Sequence, residues 1–317
     1  MHTKKIALKI LIFIGIPFTY FSALWMKYIR LSGIGKIEDW IFMKVGILPI
    51  PDHYYQPMIN PVKYISKSLR DDRSLTGINF NTEEQLQLLS KFHYNDELIQ
   101  IPLKKTDRIS FYYNNGNYES GDAEYLYNII RHFKPGNIIE IGSGSSTLLA
   151  RKAIQQNQEE DIKYQCRHIC IEPFEQPWLE SIGVEILREK VETLDKSLFE
   201  SLEANDILFI DSSHIIRPQG DVLFEYLEIL PVLNSGVLIH VHDIFTPKDY
   251  PNEWIYNHLF WNEQYLLEAF LMFNNQFKII GALNYLTHSY YKELSDKCPV
   301  FSTQKGREPG AFWMVKK

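Results

Sequence analysis

The sequence predicts an α/β protein: a doubly wound, mostly parallel sheet, closed by a C-terminal antiparallel hairpin and preceded by an N-terminal extension. Three observations predict it. From Asn137 onward, apolar β-branched runs alternate with helical stretches, the rhythm of β-α-β units with right-handed crossovers. Runs such as "DILFID" and "GVLIHVHD" are almost continuously apolar, which implies burial on both faces, as in a parallel sheet. The first strand of the series ends in "EIGSGSST", Glu140 to Thr147, where a carboxylate, two glycines and a set of hydroxyls lead into a helix.

Composition bounds the rest. The chain has 317 residues, 45% of them apolar and 23% charged, enough for one large domain or one domain with an appendage. A net charge of -6 argues against non-specific nucleic-acid binding, which needs a basic surface. The cysteines, Cys166, Cys170 and Cys298, form no disulfide framework and fit a reducing compartment.

Taken in order, residues 1–30 are a hydrophobic segment and a candidate membrane anchor. The uncharged part, Ile10 to Met26, covers 17 residues, about 25 Å as a helix and at the short end for a bilayer span. Pro17 is expected to kink it, and Tyr20, Trp25 and Tyr28 stand where interfacial aromatics would. Membrane association is expected through residues 6–28, spanning or in plane; docking on the body is the alternative. No small-x-small cleavage site is evident, against a cleaved signal peptide. Lys4, Lys5 and Lys9 precede the segment, and Lys27, Arg30 and Lys36 follow it, so positive charge sets no orientation.

Residues 31–119 read as a cap or lid region. "LPIPDHYYQP" is too rich in proline for a regular helix, and "SLRDDRSLTGINFN" reads as an exposed loop. "NTEEQLQLLSKF" is a helix capped by Asn81 or Thr82. His53 with Tyr54 and Tyr55, and Tyr112 with Tyr113 and Asn115, either fold over a cleft or pack as ordinary aromatics. Residues 120–317 form the main domain. A helix opens at Ser120 and stops at Pro135-Gly136. Strands are predicted at 137–141, 167–172, 184–187, 206–211 and 236–242, with helices at about 145–157, 175–181, 195–203 and 220–230. "NEQYLLEAFLMF" is a further helix, and "FKIIGALN" and "GAFWMVKK" are the closing strands.

The junction after the first strand points to a ligand. In an open α/β sheet, ligands bind at the carboxyl ends of strands, where strand order reverses. Gly142 and Gly144 let the backbone turn and approach a ligand without a Cβ. A dinucleotide wants a third glycine, and Thr147 stands there. Glu140 would repel a pyrophosphate but suits a cation such as the sulfonium and ammonium of S-adenosylmethionine. The second strand ends at Glu172, which can accept both hydroxyls of a ribose, and the fourth ends at Asp211.

These residues resemble the class I S-adenosylmethionine-dependent methyltransferases, among the small-molecule methyltransferases that carry "EIGSGxST". Glu140, Gly142 and Gly144 match the usual E-x-G-x-G-x-G, with Ser146 in place of the last glycine. The likeness runs from about residue 45 to the end through "PDHYYQP", "YYNNGNYESGDAEYLY", "FIDSSH", "GVLIHVHDIFTPKDYP" and "WNEQYLLEAF", blocks similar to those of one bacterial branch. The resemblance implies a Rossmann-like methyltransferase sheet. It also implies that Glu140, Gly142, Ser143 and Gly144 line the methionine end of the cofactor, that Glu172 holds the ribose, and that Asp211 stands at the same cleft.

Methyl transfer needs alignment and removal of the acceptor's proton. Asp211 and His214, in "DSSH", are the catalytic candidates, with His214 as general base. Asp211, His242 and Asp243 are candidate ligands for a divalent cation, Mg²⁺ or similar, that would acidify a hydroxyl. Some sugar O-methyltransferases of this fold pair a D-x-x-H base with such a metal. This chain is similar at Asp211, His214 and Asp243 and departs at His242. His240 is expected to be a hydrogen-bonded structural histidine, and His132 and His168 incidental. The expected activity is methylation of a small or medium acceptor at oxygen, with a glycan or lipid-linked precursor as the extension the anchor suggests. The catalytic domain is expected on the cytoplasmic face of a membrane, or in the cytoplasm if the N-terminal segment docks on the body. A nicotinamide-dependent oxidoreductase and a non-catalytic membrane-tethered module are the alternatives. Oligomeric state is left open.

Overall fold

The computed structural model describes residues 2–53, 55–107, 109–174 and 176–317. The chain divides into two compact units: residues 1–67 with 255–260, and 68–254 with 261–317. The second unit therefore begins at Ser68, so the segment 68–119 belongs with the main domain.

In the first unit, α1 (His2–Ser32) runs unbroken through Pro17. Its stretch Lys9–Ser32 is long and apolar enough to cross a membrane, by length and composition. Most of its described side chains are exposed: Phe13 and Phe18 are each 74% exposed. After Gly33 and Gly35, α2 (Lys36–Val45) also leaves Ile37, Trp40 and Met43 exposed.

In the second unit, α3 (Thr82–Ser90) and α4 (Asp122–Phe133) precede the sheet. The helix expected to open at Ser120 begins at Asp122, because Gly121 takes a left-handed φ and its N–H is accepted by Glu124 at 3.1 Å. The strands are β1 (Asn137–Ile141), β2 (Arg167–Ile171), β3 (Glu185–Leu187), β4 (Ile207–Ile210), β5 (Leu238–Val241), β6 (Phe277–Ala282) and β7 (Phe312–Lys316). Helix α5 (Ser145–Glu160) follows β1, α6 (Asp221–Phe224) continues as a π-helical turn over Glu225–Ile229, and α7 is Glu263–Leu271. Strand order is β3-β2-β1-β4-β5-β7-β6. β1 to β5 are parallel, and β7 runs antiparallel between β5 and β6. The closing pair is not joined by a tight turn: short helices at Leu283–Ser289, Tyr291–Ser295 and Pro299–Thr303 lie between its strands.

Alternation along each strand builds two cores. Ile139, Ile141, Ile169, Ile171, Leu208 and Ile210 face one side, with Tyr226 and Leu267. Ile138, Ile207, Phe209 and Trp313 face the other, with α4 and α5. The helices expected at 175–181 and 195–203 shrink to a 3₁₀ turn at Leu179–Ser181 and one helical turn at Ser197–Glu200. Glu175, in the first of these, lies outside the described residues. The loop from Ser68 is irregular as expected but pinned: Arg70 pairs with Glu308 at 2.6 Å, and Arg73 pairs with Glu268. The three cysteines are free thiols.

Candidate active site

Strand order reverses between β1 and β4, and the turn after β1 closes against the tip of β4 at that point. The Gly142 N–H donates to the Ile171 carbonyl at 3.0 Å, and the Asp211 N–H donates to the Ile141 carbonyl at 2.9 Å. Gly142 has a φ of 79°, and a Cβ there would overlap the Asp211 carbonyl oxygen. The protein's own backbone therefore requires glycine at 142. Gly144 differs: its φ of -167° is extended, and an added Cβ would meet no protein atom within 4 Å. The space it leaves is the cleft. Thr147 Oγ1 accepts the Gly144 N–H at 3.0 Å and ties the turn to the start of α5, so the hydroxyl at the missing third glycine works as a cap.

The cleft is a trough of adjoining cavities. One of ≈350 Å³ is lined by Glu172, Phe174, Val191, Glu192 and Arg217. A second of ≈490 Å³ runs along Gly142 to Ser146 and reaches His214, His242, Asp243, Trp254 and Trp261. Gly142, Glu172, Asp211, Ser212 and Ser213 line both. A third, of ≈500 Å³, shares Gly116, Asn117, His242, Asp243 and Trp254 with the second and continues past Asp122, Phe245 and Arg307.

Glu172 is 8% exposed. Its Oε2 accepts the Ser143 N–H at 3.1 Å and its Oε1 the Phe174 N–H at 2.8 Å. Each oxygen keeps a lone pair for a further donor. Glu140 lies elsewhere than expected. It shares a sheet face with Phe209 and His168, buried under the glycine turn, and lines neither of the cavities it was expected to border. Its Oε1 accepts the Ser146 hydroxyl at 2.6 Å, and its Oε2 lies 2.9 Å from His168 Nε2. A carboxylate this deep needs such partners, since an unpaired buried charge costs several kcal/mol. His168, which the sequence marked as incidental, is thus the partner of Glu140.

The strand tips gather around His214. After β4, Ser213 donates its N–H to Asp221 Oδ2 at 3.0 Å and its hydroxyl to Asp221 Oδ1 at 2.7 Å. The loop then turns through a left-handed His214, φ 59°, a conformation costing on the order of 1 kcal/mol that surrounding contacts must hold. His214 Nδ1 lies 2.8 Å from Glu263 Oε2, at the first position of α7. Nε2 lies 3.3 Å from Asp211 Oδ1 and 3.6 Å from Asp243 Oδ2, and the ring leans on Trp261 at 4.2 Å. Burial disfavours the imidazolium, but the carboxylates of Asp211 and Glu263 outweigh it and hold the His214 pKa well above its ordinary value. Burial likewise works against charge on Asp211, yet His242 and His214 keep that carboxyl below the usual range. Burial pushes Asp243 and Glu263 up.

The ligand set expected at the acceptor end needs correction. Asp211 and Asp243 come together with His214, their donor atoms within 4.8 Å of one another. His242 stays outside that group: its Nε2 is 3.5 Å from Asp243 Oδ1, and its ring packs on Tyr118 at 5.0 Å. His240 is structural, but by stacking. It lies 4.1 Å from Phe209 and 4.8 Å from Trp313, neither ring nitrogen has a hydrogen-bond partner among the described residues, and burial holds its pKa far below the ordinary value. Tyr113 is no lid: it is fully buried and donates its hydroxyl to the Leu98 carbonyl at 3.1 Å. Asn115 braces the turn before Gly116 by donating to the carbonyls of Tyr112 and Tyr118. His53 and Tyr55 belong to the first unit, and Tyr54 lies outside the described residues. Sequence reasoning missed Glu263, Asp122, Trp254 and Trp261. The blocks "SGDAEYLY" and "WNEQYLLEAF" contained three of them without indicating their roles.

A family described as a methyltransferase domain matches residues 139–244. An uncharacterized protein of Archaeoglobus fulgidus is 30% identical over 177 residues, 52% of this chain and 78% of that protein. The crystal structure of the O-methyltransferase from Bacillus cereus in complex with SAH is similar at 13% identity and a TM-score of 0.36, covering 81% of this chain and 94% of that one. The domain match speaks against the nicotinamide-dependent alternative. It runs from within β1 to just past Asp243, the part of the sheet that builds the cleft, and on that ground residues 139–244 match a methyltransferase domain.

Proposed function

We propose that the chain methylates a hydroxyl of a small or medium acceptor, with His214 as the base and α1 as a membrane anchor. The observation that carries this reading is the placement of His214, fixed at Nδ1 by Glu263 and turned at Nε2 toward the cleft. With Nδ1–H donated to Glu263, Nε2 holds the lone pair that can take a proton. Glu172 would accept the ribose hydroxyls and Ser143 to Ser146 would border the methionine end; all of them line the second cavity. The carboxylates of Glu172, Asp211 and Asp243 give the trough the negative potential a sulfonium favours. Beyond Asp243, the third cavity offers aromatic walls at Phe245 and Trp254 with Asp122 and Arg307, room for a polar acceptor. His214 Nε2 takes the proton of the acceptor hydroxyl as its oxygen bonds to the methyl carbon and the carbon–sulfur bond breaks, leaving neutral S-adenosylhomocysteine. The exposed apolar surface of α1 and α2 supports attachment to a bilayer; a cytosolic cofactor would put the catalytic unit on the cytoplasmic side, and a glycan or lipid-linked precursor fits that setting.

His214 serves as base only when neutral, so kcat/KM should rise with pH along a limb on the alkaline side of about 6.5, the ordinary histidine value. Glu263→Gln removes a carboxylate that stabilises the imidazolium. The limb should then move toward acid while kcat falls. An unmoved limb in a pH–rate profile would remove His214 from the role. The same shift makes His214 a stabilising contact below its unfolded pKa, lost as pH rises through the folded one. A second reading follows from the donor set of Asp211, His214 and Asp243. Two carboxylates and an imidazole suit a divalent cation, which when bound would acidify the acceptor hydroxyl. Full activity after chelation speaks for His214 alone; loss restored by Mg²⁺ or Mn²⁺ speaks for the cation.

A further inference from the structure

A cavity of ≈540 Å³ lies apart from the trough, sharing no lining residue with its three parts. One wall is the side of α5 that carries Leu148, Arg151, Lys152 and Gln155; the facing wall includes Ile109 and Phe111. Among the described residues no carboxylate lines it, in a chain whose net charge is -6, whereas each cavity of the trough contains several acids. Arg151 is half-buried and Lys152 exposed, and neither forms an ion pair among the described residues. Thr106 and Ser110 stand on the same lining; the Ser110 hydroxyl is donated to Asp107, whose carboxylate belongs to the same loop but not to the lining, and Lys104 and Lys105 precede them in the chain.

Cations without acidic partners beside an apolar wall fit one ligand chemistry, an anionic head on a partly apolar body. We propose that this cavity binds an organic phosphate, its phosphate on Arg151 and Lys152 and its apolar part against Ile109, Phe111 and Leu148. The site is separate from the methyl-transfer trough and does not depend on the acceptor reading. A phosphate at this position comes either from a soluble ester or from the headgroup of an anionic lipid.

The test is calorimetric titration of the full chain in detergent with phenyl phosphate and, separately, inorganic phosphate. Phenyl phosphate should bind about tenfold more tightly, because only it uses the apolar wall. The double variant R151Q/K152Q should lose about tenfold or more in affinity for it, and so should the cavity-filling Gln155→Trp, which keeps both charges. S-adenosylhomocysteine binding, measured alongside, should stay within about twofold in both variants and shows that they are folded. Dihexanoyl phosphatidic acid binding more tightly than phenyl phosphate assigns a lipid headgroup, and weaker binding a soluble ester. Equal affinity of wild type and both variants for phenyl phosphate, or no binding to wild type, overturns the proposal.

Discussion

Gly142→Ala should both destabilise the protein and weaken cofactor binding, whereas Gly144→Val should act chiefly on binding. At 142 an alanine must adopt a left-handed φ, at about 1–2 kcal/mol. It must also push its Cβ away from the Asp211 carbonyl, an overpacking cost of about 1–3 kcal/mol. Together these amount to roughly 2–5 kcal/mol, and the displaced atoms are the strand tips that flank His214. At 144 φ is not left-handed and an added Cβ meets no protein atom within 4 Å, so the loss of thermal stability should be smaller than at 142. Those atoms do enter the second cavity of the trough, which Gly144 lines, and the affinity for S-adenosylhomocysteine should fall by about tenfold or more. Unfolding curves and titrations on the two variants separate the roles. A Gly144→Val protein that binds normally would mean that the cofactor lies elsewhere.

His214→Ala should lower kcat by about 10²–10⁴-fold, the usual contribution of a positioned general base, with S-adenosylhomocysteine affinity changed only a few-fold. The ring also separates the carboxylates of Asp211, Asp243 and Glu263. Its removal leaves buried acids facing one another and lowers stability. His214→Asn keeps a donor toward Glu263 and is the better-folded control. If both variants retain near wild-type kcat in a methyl-transfer assay while folded, the base is another group, with His242 the nearest alternative.

The strands from Asn137 to His242 were legible in the sequence because each is an apolar run of strand length bounded by turn residues, and the cleft at the β1/β4 reversal follows from the topology. The glycine turn was legible too, although Gly142 and Gly144 look alike in sequence and differ in cause. Only coordinates show that one faces the Asp211 carbonyl and the other open space. Glu140 was misplaced because its position at a strand tip was weighed and its parity was not. Alternation puts it on the side of Ile138, facing the helices, away from the cleft. Glu263 could not have been found by spacing. It lies 49 residues beyond His214, and only tertiary folding sets its carboxylate on Nδ1. The helices expected at 175–181 and 195–203 were overextended: the structure has a short turn within each, at Leu179–Ser181 and Ser197–Glu200.

The most direct measurement is a titration of the detergent-solubilised full chain with S-adenosylhomocysteine and with NAD, repeated on Glu172→Ala. The account predicts saturable binding of S-adenosylhomocysteine, none of NAD, and a loss of about tenfold or more when the Glu172 carboxylate is removed. Binding of NAD instead, or S-adenosylhomocysteine binding that ignores the loss of Glu172, would contradict it.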